Sequence, residues 1–238
     1  ADMWSHQYDQ QLNQVECSER SDRNWTTNGP DANLFGLAPN YGCCTANLSQ
    51  GWPKFAAHLW LQTSESGIAA TAYAPSRLST EVRGTPVSVE LETEYPFRPH
   101  LRFVVQTAAP VEFPLLVRLP GWCRQPALTV DGARVEVGTP GTFQRLRRRW
   151  EGRTEVILDL PMAARLEPRP NGAVSLLRGP LVYALPIGEQ WRRTHHDHPH
   201  RELPHADWEV HPTSAWNWAL QFNPPTLEPD VRSTLGPT

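Results

Sequence analysis

The chain has 238 residues, among them 24 prolines and 10 tryptophans, and a formal net charge of −3. Proline at that density argues against a mostly helical fold and favours turns and edge strands, because each one removes a backbone donor. The small negative charge gives no pull toward nucleic acid, and no stretch approaches the roughly 20 apolar residues of a membrane-spanning helix.

The opening residues Ala1-Asp2-Met3-Trp4 lack an initiator Met and enter mid-pattern, as expected for a piece of a longer protein. Residues 1–30 are polar and aromatic with weak periodicity. Trp25 to Gly42 is rich in Asn, Gly and Pro and reads as a loop. It leads into Gly42-Cys43-Cys44-Thr45-Ala46-Asn47. Beyond this, Leu48, Trp52, Phe55, Ala56, Leu59 and Trp60 fall at helical spacing. With Pro53 confined to a first turn, the predicted helix runs from about Trp52 to Leu61.

From Ser64 the pattern turns to strands. Val87 to Tyr95 alternates strictly between apolar and polar positions. Further runs follow at Ile68–Tyr73, Leu101–Thr107, Phe113–Leu119, Thr142–Leu146, Glu155–Leu160, Ala173–Leu177 and Leu181–Leu185. Leu128–Val130 and Arg134–Val137 flank Asp131-Gly132, a hairpin signal. The fold class is therefore mainly β, an antiparallel β-sandwich. The expected division is 1–63 with the double cysteine, 64–188 as the sandwich, and 189–238 as an irregular C-terminal segment. Arg145 to Arg149 reads as a solvated strand end.

The chemistry centres on the cysteines. Adjacent cysteines rarely bridge to each other, because a disulfide needs a specific Cα spacing and facing Cβ vectors. Cys17, Cys43 and Cys44 with Glu16 offer three thiols and one carboxylate, a donor set that suits zinc. A thiolate nucleophile, or buried thiols acting as small hydrophobes, fits the residues as well. The predicted helix start would favour a thiolate in the pair just before it. Cys123 reads as a packing residue. His6-Gln7-Tyr8-Asp9-Gln10 has the composition of a sugar cleft, with His6 and Tyr8 as binding candidates; an ordinary polar helix end is the alternative. The five histidines between His195 and His205 read as an exposed loop, and His58 as a core residue. Spacing selects no general acid among Asp9, Glu16, Glu19, Asp22 and Asp31.

Gly42-Cys43-Cys44-Thr45-Ala46-Asn47 running into Gly51-Trp52-Pro53-Lys54 resembles the double-cysteine motif of the cysteine-dependent β-L-arabinofuranosidases, glycoside hydrolase family 127 and its relatives. Arg118-Leu119-Pro120-Gly121-Trp122-Cys123, Leu177-Arg178-Gly179-Pro180-Leu181-Val182-Tyr183, and Asp207-Trp208-Glu209-Val210 with Ser214-Ala215-Trp216-Asn217 resemble later stretches of the same family, in the same order. The resemblance implies an (α/α) barrel followed by β-sandwich domains, with this chain starting near the barrel's end. It implies a retaining glycoside hydrolase acting on β-L-arabinofuranosides or related glycans. Cys43 would be the nucleophile and a zinc ligand, Cys44 a second ligand and Cys17 an upstream one. The family's carboxylate ligand stands two residues before the upstream cysteine, where this chain has Val15; Glu16 is adjacent. The general acid is expected upstream of Ala1. A carbohydrate-binding sandwich without catalysis is the competing reading, and a structural zinc module a third.

Overall fold

The computed structural model describes residues 7–11, 14–23, 26–36, 43, 46–47 and 49–217. They fall into two compact units. One is Lys54–Tyr183; the other joins the described residues up to Pro53 with those from Ala184 onward.

The first unit is built on a mixed sheet of eight strands. Strand β1 (Trp60–Gln62) pairs with β2 (Ile68–Ala70), and β3 (Ser76–Val82) with β4 (Thr85–Thr93). Two long strands, β5 (His100–Arg118) and β8 (Phe143–Asp159), run antiparallel along their whole length. β6 (Ala127–Val130) and β7 (Ala133–Val135) form a hairpin on the edge of β8. Asp131 and Gly132 turn it with φ of 49° and 80°, the doubly left-handed turn that Asp-Gly favours. β2 lies parallel to β5, the one parallel pair among the described strands.

The long strands bend midway. Their register shifts between Thr107 and Val111, where Pro110 has no N–H to give the ladder. Gly152, with φ of 61°, sits opposite Thr107. Beyond the bend each strand belongs to a second layer. β4 flanks the first half of β5 and β2 flanks the second half. The two layers face each other across one core. Trp60 on β1 meets Phe103 on the other half of β5 edge-on, ring centroids 6.2 Å apart. Tyr73 packs on Phe103 as well, and its hydroxyl donates to the Arg118 carbonyl at 2.5 Å. Phe113 and Trp150 stack at 5.4 Å in the interior, where the Trp150 indole N–H donates to the Phe113 carbonyl at 2.9 Å. The unit is the expected β-sandwich, with the parallel β2–β5 pair as its departure from a purely antiparallel sheet.

Several local expectations differ. The helix α1 spans Gly51–Ala57 and buries none of its residues. Trp60 and Leu61, expected on its last turn, instead enter β1, because pairing with β2 seats Trp60 on the core. His58, expected in that core, is exposed, its Nδ1 2.6 Å from the Lys54 carbonyl oxygen. Cys123 is fully buried, as a packing residue should be. The Arg145–Arg149 patch lies within β8, not at a strand end; Arg145 pairs with Glu65 and Arg147 with Glu112 on the solvent face. A three-stranded sheet of β9 (Ala164–Pro168), β10 (Val174–Arg178) and β11 (Leu181–Val182) follows the sandwich.

In the second unit β12 (Glu189–Thr194) and β13 (Asp207–Pro212) form an antiparallel ribbon, so the stretch expected to be irregular carries regular structure. The free edge of β13 pairs with the N-terminal residues through isolated bridges at Cys17–Val210 and Phe35–Trp208. Those bridges are why the two ends of the described chain fall together.

Candidate active site around the cysteine loop

The sequence between Cys17 and Phe35 is a polar excursion whose two arms rest on one strand. The Cys17 N–H donates to the Val210 carbonyl at 2.9 Å, and the Val210 N–H returns the bond at 2.7 Å. Phe35 and Trp208 exchange bonds of 3.0 and 2.6 Å. Inside the excursion the Arg20 N–H reaches the Pro30 carbonyl, and the Arg23 guanidinium reaches the carbonyls of Pro30 and Ser18. These bonds satisfy backbone groups that a loop would otherwise leave to water.

The Cys17 side chain is buried, and Gln7 defines its surroundings. One N–H of the Gln7 amide donates to the Asn33 carbonyl at 2.9 Å, and the same nitrogen lies 3.0 Å from Cys17 Sγ. A carbonyl only accepts, so the Asn33 bond fixes which end of the amide faces the sulfur. Cys17 Sγ is thus an acceptor. Burial pushes the thiol up to about 11, against the Gln7 bond, which works to lower it.

Cys17 opens onto a cleft of about 350 Å³ whose walls include Gln7, Phe35, Glu189, Trp191 and His211. Trp191 is 47% exposed, and its ring packs against Phe35 at 5.1 Å. Glu16 accepts from the Ser18 hydroxyl and lies 3.8 Å from His211 Nδ1, while His211 Nε2 is 3.0 Å from Glu209. Tyr8 is half-buried. Cys43 is exposed and helical in backbone, its carbonyl accepting from Asn47 Nδ2 at 2.7 Å. It therefore precedes α1 without sitting at that helix's N-terminus. Cys44 and His6 lie outside the described residues. Among the described residues no three His, Cys, Asp or Glu side chains gather as a metal site.

A second cluster in this unit was not expected from the sequence. Asp207 is fully buried, and its Oδ2 accepts from Arg201 Nε at 2.8 Å and faces His195 Nδ1 at 2.9 Å. The other imidazole nitrogen, Nε2, is 3.4 Å from Glu19. His195 is thus mostly buried between two carboxylates, and only part of the histidine tract is an exposed loop.

With this geometry in view, comparison with known proteins places the chain. Residues 67–162, which carry β2 to β8 of the bent sandwich, match the model of the β-L-arabinofuranosidase GH127 middle domain. Those residues are homologous to the middle domain of the family 127 glycoside hydrolases. A GH127 β-L-arabinofuranosidase from Geobacillus stearothermophilus T6 is 28% identical, with a TM-score of 0.56; the match covers 76% of this chain and 32% of that one. A solved glycoside hydrolase is 25% identical at a TM-score of 0.59, over 71% of this chain and 29% of its own length. A GH127 β-arabinofuranosidase at 20% identity and a TM-score of 0.55 shares the fold, over 71% of this chain and 31% of its own. The chain therefore spans about a third of the length of these structures. No curated protein sequence matches it.

Proposed function

We propose that the protein carrying this chain is a retaining glycoside hydrolase that acts on β-L-arabinofuranosides or related glycans through a cysteine nucleophile. The match of residues 67–162 to the family 127 middle domain carries this reading. The double cysteine stands N-terminal to that domain, and Cys17 opens the excursion whose two arms are bridged to β13. Cys43 is the nucleophile: its sulfur bonds to the anomeric carbon as the bond to the leaving oxygen breaks, and a carboxylic acid protonates that oxygen. Water, losing its proton to the same carboxylate, then displaces the sulfur.

Three thiols are a donor set that zinc prefers, and Gln7 already treats Cys17 Sγ as an acceptor. Cys17, Cys43 and Cys44 would hold the ion, with Glu16 as the nearby carboxylate. Bound zinc supplies the positive charge that strips protons from such thiols. Cys17 in particular, pushed up by burial, keeps its proton at neutral pH until a cation is beside it. His6 and Tyr8 are the proposed sugar-contacting residues.

Hydrolysis of an aryl β-L-arabinofuranoside by the intact protein, compared with its Cys43→Ala variant, tests the assignment. The expected result is loss of at least about a thousandfold in kcat. Activity retained in the variant overturns the nucleophile. A second reading, carbohydrate binding without catalysis, is favoured by the aromatic and amide lining of the Trp191 cleft. Arabinan binding by a wild-type protein that hydrolyses nothing would decide for it.

A further inference from the structure

Strand β13 holds both arms of the excursion that carries Cys17, and its first residue, Asp207, is the buried centre of the attachment. From one side, Gly36 approaches so closely that a Cβ there would stand 2.2 Å from Asp207 Oδ1. From the other, Asp207 Oδ2 receives Arg201 and His195, and His195 reaches on to Glu19, two residues past Cys17. We propose that His195 and Asp207 form a pH-dependent clasp, in which protonated His195 adds a tie between the Cys17 arm and β13 through Glu19 and neutral His195 loosens that arm to its backbone bonds alone.

The argument is one of donor count. An imidazolium has two N–H groups and serves both carboxylates; a neutral imidazole has one. The bond to Asp207 is the shorter, at 2.9 Å against 3.4 Å, and its acceptor is fully buried, whereas the Glu19 side chain is about half exposed and can turn to water. The remaining proton therefore stays on Nδ1, and the Glu19 contact is the one released. His198 stacks on His195 with centroids 4.4 Å apart; the Arg201 guanidinium, which shares Asp207, opposes a second positive charge, while the two carboxylates favour it. Burial lowers the imidazole's pKa, but the bonds and charges of Asp207 and then Glu19 outweigh it, so the net shift is upward. With a raised pKa, the contribution is complete below the unfolded value and is lost as pH rises through the folded one.

The clasp gives the proposed cysteine centre a pH response of its own, and in that sense it rests on the function proposed above. Amide hydrogen exchange of residues 14–23 in the intact protein, corrected for intrinsic rates between pH 6 and 9, measures it directly. Protection should fall about tenfold as pH climbs through the His195 titration, the cost of one charge-assisted bond. In His195→Gln, which cannot titrate, protection should be flat. Should that variant misfold, Glu19→Gln, at the exposed end of the contact, should abolish the step with the fold intact. A flat wild-type profile, or an unchanged step in Glu19→Gln, overturns the clasp. Activity surviving in Cys43→Ala would overturn the nucleophile and leave the exchange step in place, so the two failures are distinguishable.

Discussion

Gly36 shows how narrowly a single position is constrained here. Its missing side chain leaves room for Asp207, whose Oδ1 would lie 2.2 Å and Cγ 3.0 Å from any Cβ. Arg201 and His195 hold that carboxylate in place, so it cannot swing aside cheaply. Gly36→Ala should therefore destabilise the cysteine-bearing unit by about 1–3 kcal/mol, the usual cost of overpacking. Urea unfolding followed by fluorescence would show an earlier transition, and an unchanged midpoint would mean that the buried carboxylate is free to move. Cys17 stood out in the sequence by its residue type alone. Gln7 and Asp207 did not, because what makes them matter is a partner distant in sequence. Gln7 finds its sulfur ten residues on, and Asp207 meets Gly36 only because β13 pairs with Phe35. No local period records such meetings.

The two long strands explain most of what was and was not legible among the elements. Alternation from Val87 to Tyr95 and the Asp131-Gly132 turn announced β4 and the β6–β7 hairpin correctly. β5 and β8 each read as two strands, because Pro110 and Gly152 look like breaks; in three dimensions they are corners of continuous strands. β3 carries no clear strand signal, because Ser76–Val82 is an edge strand with polar residues at most positions. The helical spacing runs past the end of α1 because Leu59 and Trp60 continue a period that a short window cannot distinguish from a strand entry. Near the corner, Trp150 ties β8 to β5 by ring stacking and by its N–H to the Phe113 carbonyl. Trp150→Phe keeps a ring but leaves a buried carbonyl without its donor and a small void. It should cost about 1–3 kcal/mol by urea unfolding. Arg147→Ala, which removes an exposed ion pair with Glu112 on the same strands, should leave the midpoint unchanged. If the two substitutions cost the same, the corner is not held by its aromatic core.

At the scale of the molecule, the β-rich class and the family likeness were legible, while the grouping of residues was not. The end of the chain read as irregular, yet β13 supplies the strand against which the Cys17 arm is hydrogen bonded. That arrangement gives the zinc proposal a test that needs no substrate. Metal affinity is folding free energy for the segments that supply the ligands. Cys17 is the proposed ligand joined to β13 by two backbone bonds, so binding energy gained at its sulfur should appear as protection at the Cys17–Val210 bridge. The sandwich core, closed by Phe103, Phe113, Trp150 and Leu158, draws nothing from those ligands, and all four side chains are already fully buried. Removing zinc from the intact protein with a chelator should therefore raise amide exchange at residues 14–23 and 207–212 at least tenfold, and leave residues 101–105 and 113–117 as they were. Readdition of zinc should restore it. Equal exchange with and without the chelator, in a protein shown by elemental analysis to have lost its zinc, would remove Cys17 from the ligand set while leaving Cys43 free to act as the nucleophile.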